Sequence, residues 1–299
     1  MSVVQPRVVV VTRPTELEAL LARHGTRGQA EFFLASRGQS LAPLEERQRS
    51  FEEARTQILR AIPVRWRRTQ LSRSQLDRFL FEPSDLVVVI GQDGLVPNVA
   101  KYLSGQLVIG VNPDPALYEG LLVPHSAEAG GDLLQVAHTG RALVEDRAMV
   151  EARLDDGQTL RALNELYLGH LTHQSSRYRI SWRGAAEDHS SSGLIVATGT
   201  GASGWARSVR RNRVSPIELP EPGERRLAFF VREAWPSVAT GTDLTDGEIQ
   251  AEESLLVTSQ FNQDGVIFGD GIEADRLEFG WGRQVEIGLA EECLRLVVG

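Results

Sequence analysis

The sequence predicts an α/β domain with an open, mostly parallel sheet, followed by a β-rich domain. Short, apolar, β-branched runs near the start are typical of buried parallel strands, and helical patterns separate them. After about residue 130 the chain changes to strand-like segments divided by glycine, aspartate and serine turns. That spacing is typical of an all-β layer. We therefore place the domain boundary near residue 130.

The predicted elements of the first part alternate between strand and helix. Residues 8–11 (VVVV) form a buried strand, and the periodic TELEALLARHG forms a helix that ends near Gly25. A second helix covers residues 44–62 and stops before a proline. Two further buried strands, LVVVI and LVIGV, flank a glycine turn and a short helix with Pro97 in its first turn. This order indicates a βαβ unit and a parallel sheet.

The second part is predicted to be a series of strands with one helical insertion. The insertion is WARSVRRNR, directly after Gly204. The strand-like segments are RALVEDRAMVEARL, TLRALNELYLGHL, SRYRISWRG, RLAFFVREAW, ESLLVTSQF and RQVEIGLAEECLRLVV.

Charge and composition exclude several classes of function. The chain has 299 residues and a formal net charge of −8, which argues against nucleic acid or an anionic membrane as a partner. No apolar run approaches the ~18 residues of a membrane span. Cys293 is the single cysteine, so disulfide frameworks and multi-cysteine zinc sites are excluded. With no targeting pattern at the start, we expect a cytoplasmic protein.

The basic residues are almost all arginines. Of 32 Lys plus Arg, only Lys101 is a lysine, and it lies in VAKYL. A P-loop lysine, a protein-kinase strand lysine and a Schiff-base lysine all require other sequence contexts. If the protein binds phosphates, it does so through backbone amides, arginines or a metal ion.

The first candidate site is the turn Gly91-Gln92-Asp93-Gly94, between a buried strand and a helix. Ligands of open parallel sheets bind beyond the carboxyl ends of the strands. An aspartate there suits a general base on a hydroxyl, or a ligand of metal-bound water. The alternative is an ordinary turn in which Asp93 caps the helix. Spacing alone leaves both interpretations open.

The second candidate is the glycine-rich loop of GLIVATGTGASGWARS. Residues 199–204 match G-x-G-x-x-G after a strand and before a helix, but without the βαβ context of a dinucleotide-binding domain. The loop amides and the hydroxyls of Thr198, Thr200 and Ser203 are nevertheless suited to phosphate or ribose. The alternative is a loop that only turns the chain.

Two further polar pairs are weaker candidates for a site. Asn164 and Glu165 interrupt an otherwise apolar strand, where they could bind a ribose or base edge, or form a solvated bulge. Without other evidence the bulge is favoured. His170 and His173 have a metal-like spacing, but no acidic or cysteine partner lies close in the sequence.

Taken in order, these segments resemble the NAD kinase family. GQDG resembles that family's GGDG, LNE (residues 163–165) resembles its NE motif, and SSGLIVATGTGASGW resembles its strand followed by TPTGSTAY. The resemblance is greatest to the branch with mitochondrial-type NAD kinases, which shares GVNPDP at 110–115, the pair Glu119-Gly120 and T-G-T-G. Asp270-Gly271 resembles a late Asp-Gly of the family. The match covers roughly residues 86–299.

The resemblance implies a fold and a reaction. It implies an α/β domain over residues 1–130, rejoined by a returning tail at 285–299, and a sandwich-like, nucleotide-binding β domain over 131–284. The reaction is transfer of a phosphoryl group from ATP, or polyphosphate, to the 2′-hydroxyl of NAD, with Mg²⁺ screening the phosphates. Nucleotides are the implied partners, and a homo-oligomer, a dimer or larger, is the implied assembly.

Matching positions give the implied site residues. Asp93 would be the base that accepts the hydroxyl proton, and no protein side chain is assigned to a metal. The residues implied for nucleotide binding are Gly91, Gln92, Gly94, Asn112, Asn164, Glu165, Thr198, Gly199, Thr200, Gly201 and Ser203.

Gln92 and Leu95 depart from the family pattern, which has glycine and threonine there. Two other functions therefore stay open. One is a non-catalytic module that binds NAD(P) or ATP. The other is a lipid or sugar kinase, because related lipid kinases share the GGDG loop.

Overall fold

The computed structural model describes residues 5–213 and 215–299. The chain forms two compact units, one up to Glu145 together with Arg295–Gly299, the other Asp146–Leu294. The bounds expected from the sequence, 130 and 285, fall earlier than these. A helix at Ala127–His138 places Leu134 in the core of the first unit, and a strand at Gln284–Leu289 pairs within the second unit.

The first unit contains one six-stranded sheet. Its strands are β1 (Arg7–Thr12), β2 (Arg67–Ser72), β3 (Leu86–Ile90), β4 (Leu107–Val111), β5 (Val144–Arg147) and, from the end of the chain, β18 (Leu294–Val297). Their order is β2-β1-β3-β4-β18-β5. The pairs β1–β2, β1–β3, β3–β4 and β4–β18 are parallel. The predicted open parallel sheet is therefore confirmed.

Helices cover this sheet and supply the other half of its core. They are α1 (Glu16–His24), α2 (Arg27–Ala35), α3 (Ala42–Ala61), α4 (Leu95–Ala100) and α5 (Ala127–His138). Thr15 and Glu18 form a capping box that begins α1, and Gly25 ends it at a φ of 76°. The core unites apolar strand residues such as Val88 with Ile58 of α3.

The second unit is a pair of antiparallel sheets. Its strands are β6 (Val150–Leu154), β7 (Thr159–Ala162), β8 (Glu165–His170), β9 (Ser176–Trp182), β10 (Ala185–Ser191), β11 (Leu194–Ala197), β12 (Arg226–Val231), β13 (Asp246–Gln250), β14 (Ser254–Ser259), β15 (Gly265–Gly269), β16 (Arg276–Glu278) and β17 (Gln284–Leu289). One sheet has the order β10-β9-β14-β17-β6-β7, the other β13-β12-β11-β8-β15-β16. Side chains of both sheets, including Tyr178 and Phe229, form one core.

The helical insertion of this unit is also present. Helix α6 (Trp205–Arg211) follows a 3-10 turn at Gly201–Ser203. Within the described ranges, no helix is both long enough and apolar enough to cross a membrane.

Candidate functional site

The GQDG turn lies at the carboxyl end of β3, in the middle of the first unit's sheet. Gly91 has a φ of 154°, a backbone conformation that residues with a side chain rarely adopt. Its N–H donates to the carbonyl of Val111 at 3.0 Å. The residues that follow have ordinary backbone conformations: Gly94 has a φ of −63° with open space beside its Cα. The position in this turn that requires glycine is therefore 91.

Asp93 is held by a segment 28 and 29 positions further along the chain. Its carboxylate accepts the backbone N–H of Leu122 at 2.7 Å and that of Leu121 at 3.2 Å. No side chain caps the N-terminus of α4, so the interpretation of Asp93 as the cap of this helix is wrong. The half-buried carboxylate instead stands at the strand end with its orientation fixed from outside the turn.

Asn112 braces the loop that follows β4. Its Nδ2 donates to the carbonyl of Tyr118 at 2.9 Å, and its Oδ1 accepts the N–H of Asp114 at 3.0 Å. The side chain is 5% exposed. Asn112 thus shapes the loop leading to the amides that hold Asp93.

A cavity of about 500 Å³ opens beside this turn, entirely within the first unit. It lies beyond the ends of β1, β3 and β4, where open parallel sheets bind ligands. Its lining includes Arg13, Arg47, Phe51, Arg73, Gln92 and Asp114. Sequence reasoning missed Arg13 and Arg47, although the signal for Arg13, a cation directly after an apolar strand, was present. The cavity combines an apolar wall with cationic side chains.

Asn164 and Glu165 lie where β8 begins, and not within an apolar strand as the sequence suggested. Residues 163 and 164 connect β7 to β8, and the carboxylate of Asp270 organises them. It accepts the N–H of Asn164 at 2.7 Å and that of Leu163 at 3.1 Å. Asp270 has a φ of 54°, and its own N–H donates to the carbonyl of Glu165.

Glu165 is an acid held in an environment that disfavours its charge. Burial, and secondly the negative charge of Asp270, raise its pKa to about 7. A carboxyl group with such a pKa changes its charge near neutral pH. Perturbed groups of this kind are common at functional sites, although structural networks produce them too.

Thr198 organises the glycine-rich loop from inside. It is fully buried; its Oγ1 donates to the carbonyl of Leu163 at 2.6 Å and accepts the N–H groups of Thr200 and Gly201 at 3.1 and 3.2 Å. Its own N–H donates to the carbonyl of Asn164 at 2.9 Å. The loop and the LNE segment therefore form one assembly.

Two glycines of that loop are required by close approach. A Cβ on Gly199 would lie 1.8 Å from the carbonyl oxygen of Glu221, and one on Gly201 would lie 2.1 Å from that of Asn164. The glycines thus serve packing within the unit. Of the hydroxyls, Ser203 is exposed, and the buried Oγ1 of Thr200 has no hydrogen-bond partner among the described residues.

The arginines after the loop divide into two groups. Arg210 donates to the carbonyl of Ile217, and Arg213 to those of Val231 and Thr245, so both support the backbone. Arg207 and Arg211 line a cavity of about 310 Å³ beside Ser203. These two are the loop arginines placed to meet an anion.

The described residues contain no group of three or more side chains suited to hold a metal ion. His170 and His173 do share a cavity, but Nδ1 of His170 accepts the N–H of Thr172 at 3.0 Å. The structure thus brings the predicted residues together in two groups. Gly91, Gln92, Gly94 and Asp93 with its bracing residue Asn112 lie in the first unit; Asn164, Glu165 and the loop from Thr198 to Ser203 lie in the second.

Comparison with known proteins relates the chain, in sequence and in fold, to NAD kinases. No family model matches the chain. Human mitochondrial NAD kinase 2 is 27% identical over an alignment covering 71% of this chain and 60% of that protein. The NAD kinase of Magnetococcus marinus is 35% identical, over 56% of this chain and 64% of that protein. The chain thus spans about three fifths of the length of these curated relatives.

Solved structures agree on the fold. The NAD kinase from Archaeoglobus fulgidus, solved with ATP, has a TM-score of 0.58 at 17% identity and covers 98% of this chain and 93% of its own. Yeast NADH kinase, solved with NADH, has a TM-score of 0.60 at 12% identity and covers 99% and 84%. The resemblance indicated by the motifs is confirmed, as is the fold that it implies.

Proposed function

We propose, proceeding from the similarity to NAD kinases in sequence and fold, that this chain is an NAD kinase-like phosphotransferase. It moves a phosphoryl group from ATP, or polyphosphate, to the 2′-hydroxyl of NAD and forms NADP. The observation that carries the proposal is Asp93: a carboxylate at the end of a central parallel strand, oriented by the amides of Leu121 and Leu122. Phosphoryl transfer depends on such positioning more than on covalent chemistry.

In the proposed reaction Asp93 acts as general base. A carboxylate oxygen accepts the proton of the 2′-hydroxyl while the hydroxyl oxygen bonds to the terminal phosphorus of the donor. The bond from that phosphorus to its leaving oxygen breaks, and ADP, or a shortened polyphosphate, departs with the electron pair. The two amide contacts keep the carboxylate from rotating away from the hydroxyl.

The second unit binds the nucleotide in this proposal. Asn164 and Glu165 hold its ribose and base, and the segment Thr198–Ser203 lines the other side with amides and hydroxyls. Support comes from the shared hydrogen-bond assembly of the two segments, because a single rigid frame presents all these groups.

The residues present offer Mg²⁺ few protein ligands. This ion is usually held by one or two carboxylates together with substrate phosphates. In the first unit's cavity Asp114 supplies such a carboxylate. When bound, the ion supplies charge neutralisation for the phosphates.

A non-catalytic nucleotide-binding module is the second candidate. Gln92 brings a side chain to a position of the turn that is glycine in the family. This departure favours a turn built for binding without turnover. The same assay separates the candidates.

The decisive experiment incubates the protein with Mg²⁺, NAD and either ATP or polyphosphate and measures NADP. We expect NADP from the wild type and a loss of at least about 100-fold in Asp93→Asn, the contribution of a general base. The matched control is Asp132→Asn, an exposed aspartate of α5, which should keep wild-type activity. NAD binding without NADP from either donor would support the module instead. A panel of lipids and sugars with labelled ATP tests the remaining kinase class.

The proposal extends to cellular context. A net charge of −8 and a single cysteine support a cytoplasmic protein that does not bind nucleic acid. The family resemblance supports a homo-oligomer, and light scattering at several concentrations tests it.

A further inference from the structure

Gln92 is a side chain that the GGDG pattern does not have, and it contacts a residue of the neighbouring strand end. Strands β1 and β3 run parallel with Val11 opposite Val89, so the residues beyond them lie side by side. There, Nη2 of Arg13 donates to Oε1 of Gln92. With glycine at position 92 this contact would not exist.

The contact leaves the charge of Arg13 intact. An amide oxygen is neutral, and no carboxylate lies within ion-pair distance of Arg13 in the described ranges. A guanidinium has five N–H donors, and among the described residues that of Arg13 uses one of them, in the bond to Gln92. Arg13 therefore retains donors in a fixed fork, which matches phosphate geometry.

The surroundings of Arg13 favour an anion. Three arginines (Arg13, Arg47 and Arg73) and two carboxylates (Glu16 and Asp114) line the first unit's cavity, so its charged lining has a net positive charge. Arg47 is bound to Glu16 at 2.6 Å, whereas Arg73, like Arg13, has no carboxylate partner in the described part. The one lysine, Lys101, ends α4 and does not line the cavity. Side-chain cations for a phosphate must here be arginines.

We propose that Gln92 positions Arg13 in this cavity as the cation that binds the phosphates of the phosphoryl donor. The inference deepens the proposed function, because the phosphates are those of its donor. Gln92 is thus a positioning residue, which acts through Arg13.

The test is a double-mutant cycle read by binding instead of turnover. Calorimetry measures the Kd of Mg-ATP, without NAD, for the wild type, Arg13→Ala, Gln92→Gly and the double variant. We expect a roughly 10- to 100-fold rise in Kd for Arg13→Ala, the loss of a charge-assisted hydrogen bond. Gln92→Gly should raise Kd about 3- to 10-fold alone and have no further effect in the Arg13→Ala background.

Controls separate this result from general damage. Arg60→Ala removes an exposed arginine of α3 outside the cavity and should leave the Kd of Mg-ATP unchanged. The Kd of NAD should stay within about twofold in every variant. Arg13→Lys, which keeps the charge but loses the fork, should restore part of the affinity.

The inference is overturned if Arg13→Ala changes the Kd of Mg-ATP by less than twofold, if Gln92→Gly acts equally in both backgrounds, or if the wild type binds no Mg-ATP. Failure of the proposed function has a different signature. The cycle then shows the expected coupling with Mg-ATP, but no NADP forms.

Discussion

The carboxylate of Asp270 accepts the backbone N–H of Asn164 at 2.7 Å, across 106 positions of sequence. Together with the bond from the N–H of Leu163, it fixes the connection that presents Asn164 and Glu165. Asp270 itself adopts a φ of 54°, so this contact combines a left-handed backbone conformation with a charged acceptor. The geometry of the LNE segment thus depends on a residue outside its own motif.

We expect Asp270→Ala to lower the free energy of unfolding by about 2–4 kcal/mol, because two amides lose a charged acceptor. Asp270→Asn, which keeps an acceptor oxygen and tolerates a positive φ, should lose less than half of that. Urea denaturation measures both. Equal losses in the two variants would show that the carbonyl oxygen of Asn cannot replace the carboxylate.

The raised pKa of Glu165 predicts a pH dependence of stability with a definite sign. An ordinary glutamate has a pKa near 4.5 in the unfolded chain, and this one has about 7 when folded. As pH rises through that interval the unfolded chain releases its proton first, so the folded state loses stability relative to it. Below pH 4.5 the protonated Glu165 causes no loss of folding free energy, and above pH 7 the loss no longer changes with pH.

Glu165→Gln removes this titration. As pH rises from 4.5 to 7, the wild type loses stability through this titration and the variant does not. The difference in the free energy of unfolding, variant minus wild type, should therefore increase by up to about 3 kcal/mol. Parallel urea titrations across that range measure the difference. A constant difference between the two proteins would contradict the raised pKa.

Thr198→Val should destabilise the glycine-rich loop strongly. Valine has the shape of threonine but cannot accept the N–H groups of Thr200 and Gly201, which would stay buried without a partner. We expect a loss of at least about 2 kcal/mol in the free energy of unfolding. Thr198→Ser keeps the hydroxyl and should cost less than Thr198→Val, which thermal unfolding of both variants tests.

The glycines of the two loops should respond in opposite ways. Gly201→Ala places a Cβ against a backbone oxygen and should unfold or distort the loop. Gly94→Ala meets open space at a helical φ and should leave stability unchanged or raise it by about 0.4–1 kcal/mol. If Gly94→Ala nevertheless weakens Mg-ATP binding, position 94 is glycine because a ligand approaches it. Unchanged binding of Mg-ATP would show that the ligand does not approach position 94 closely.

The sequence predicted those elements whose pattern is strong and local. LVVVI and LVIGV form β3 and β4 at the expected bounds, because short apolar runs rich in β-branched residues are typical of buried strands. Helices α2 and α5 were missed. The first has two phenylalanines and only a weak helical pattern, and the second contains Gly130 and Gly131, which lower helix propensity.

The candidate site was predictable as residues but not as contacts. The motifs identified Asp93, yet nothing in the sequence indicates that the amides of Leu121 and Leu122 hold it. Likewise, the sequence marks Asp270 as part of an Asp-Gly pair but does not indicate its partner. The bond to Asn164 forms only because β8 and β15 pair. Tertiary contacts of this kind depend on register and loop path, which local patterns do not encode.

The returning strand β18 has a consequence for the order of folding during synthesis. Arg295 and Leu296 pair with Leu107 and Val108 of β4, and Val297 belongs to the core of the first unit. Until β18 has been synthesised, β4 has an unpaired edge and that core lacks the Val297 side chain. Because the whole second unit lies between β5 and β18 in the sequence, the sheet of the first unit can be completed only after the second unit has been made.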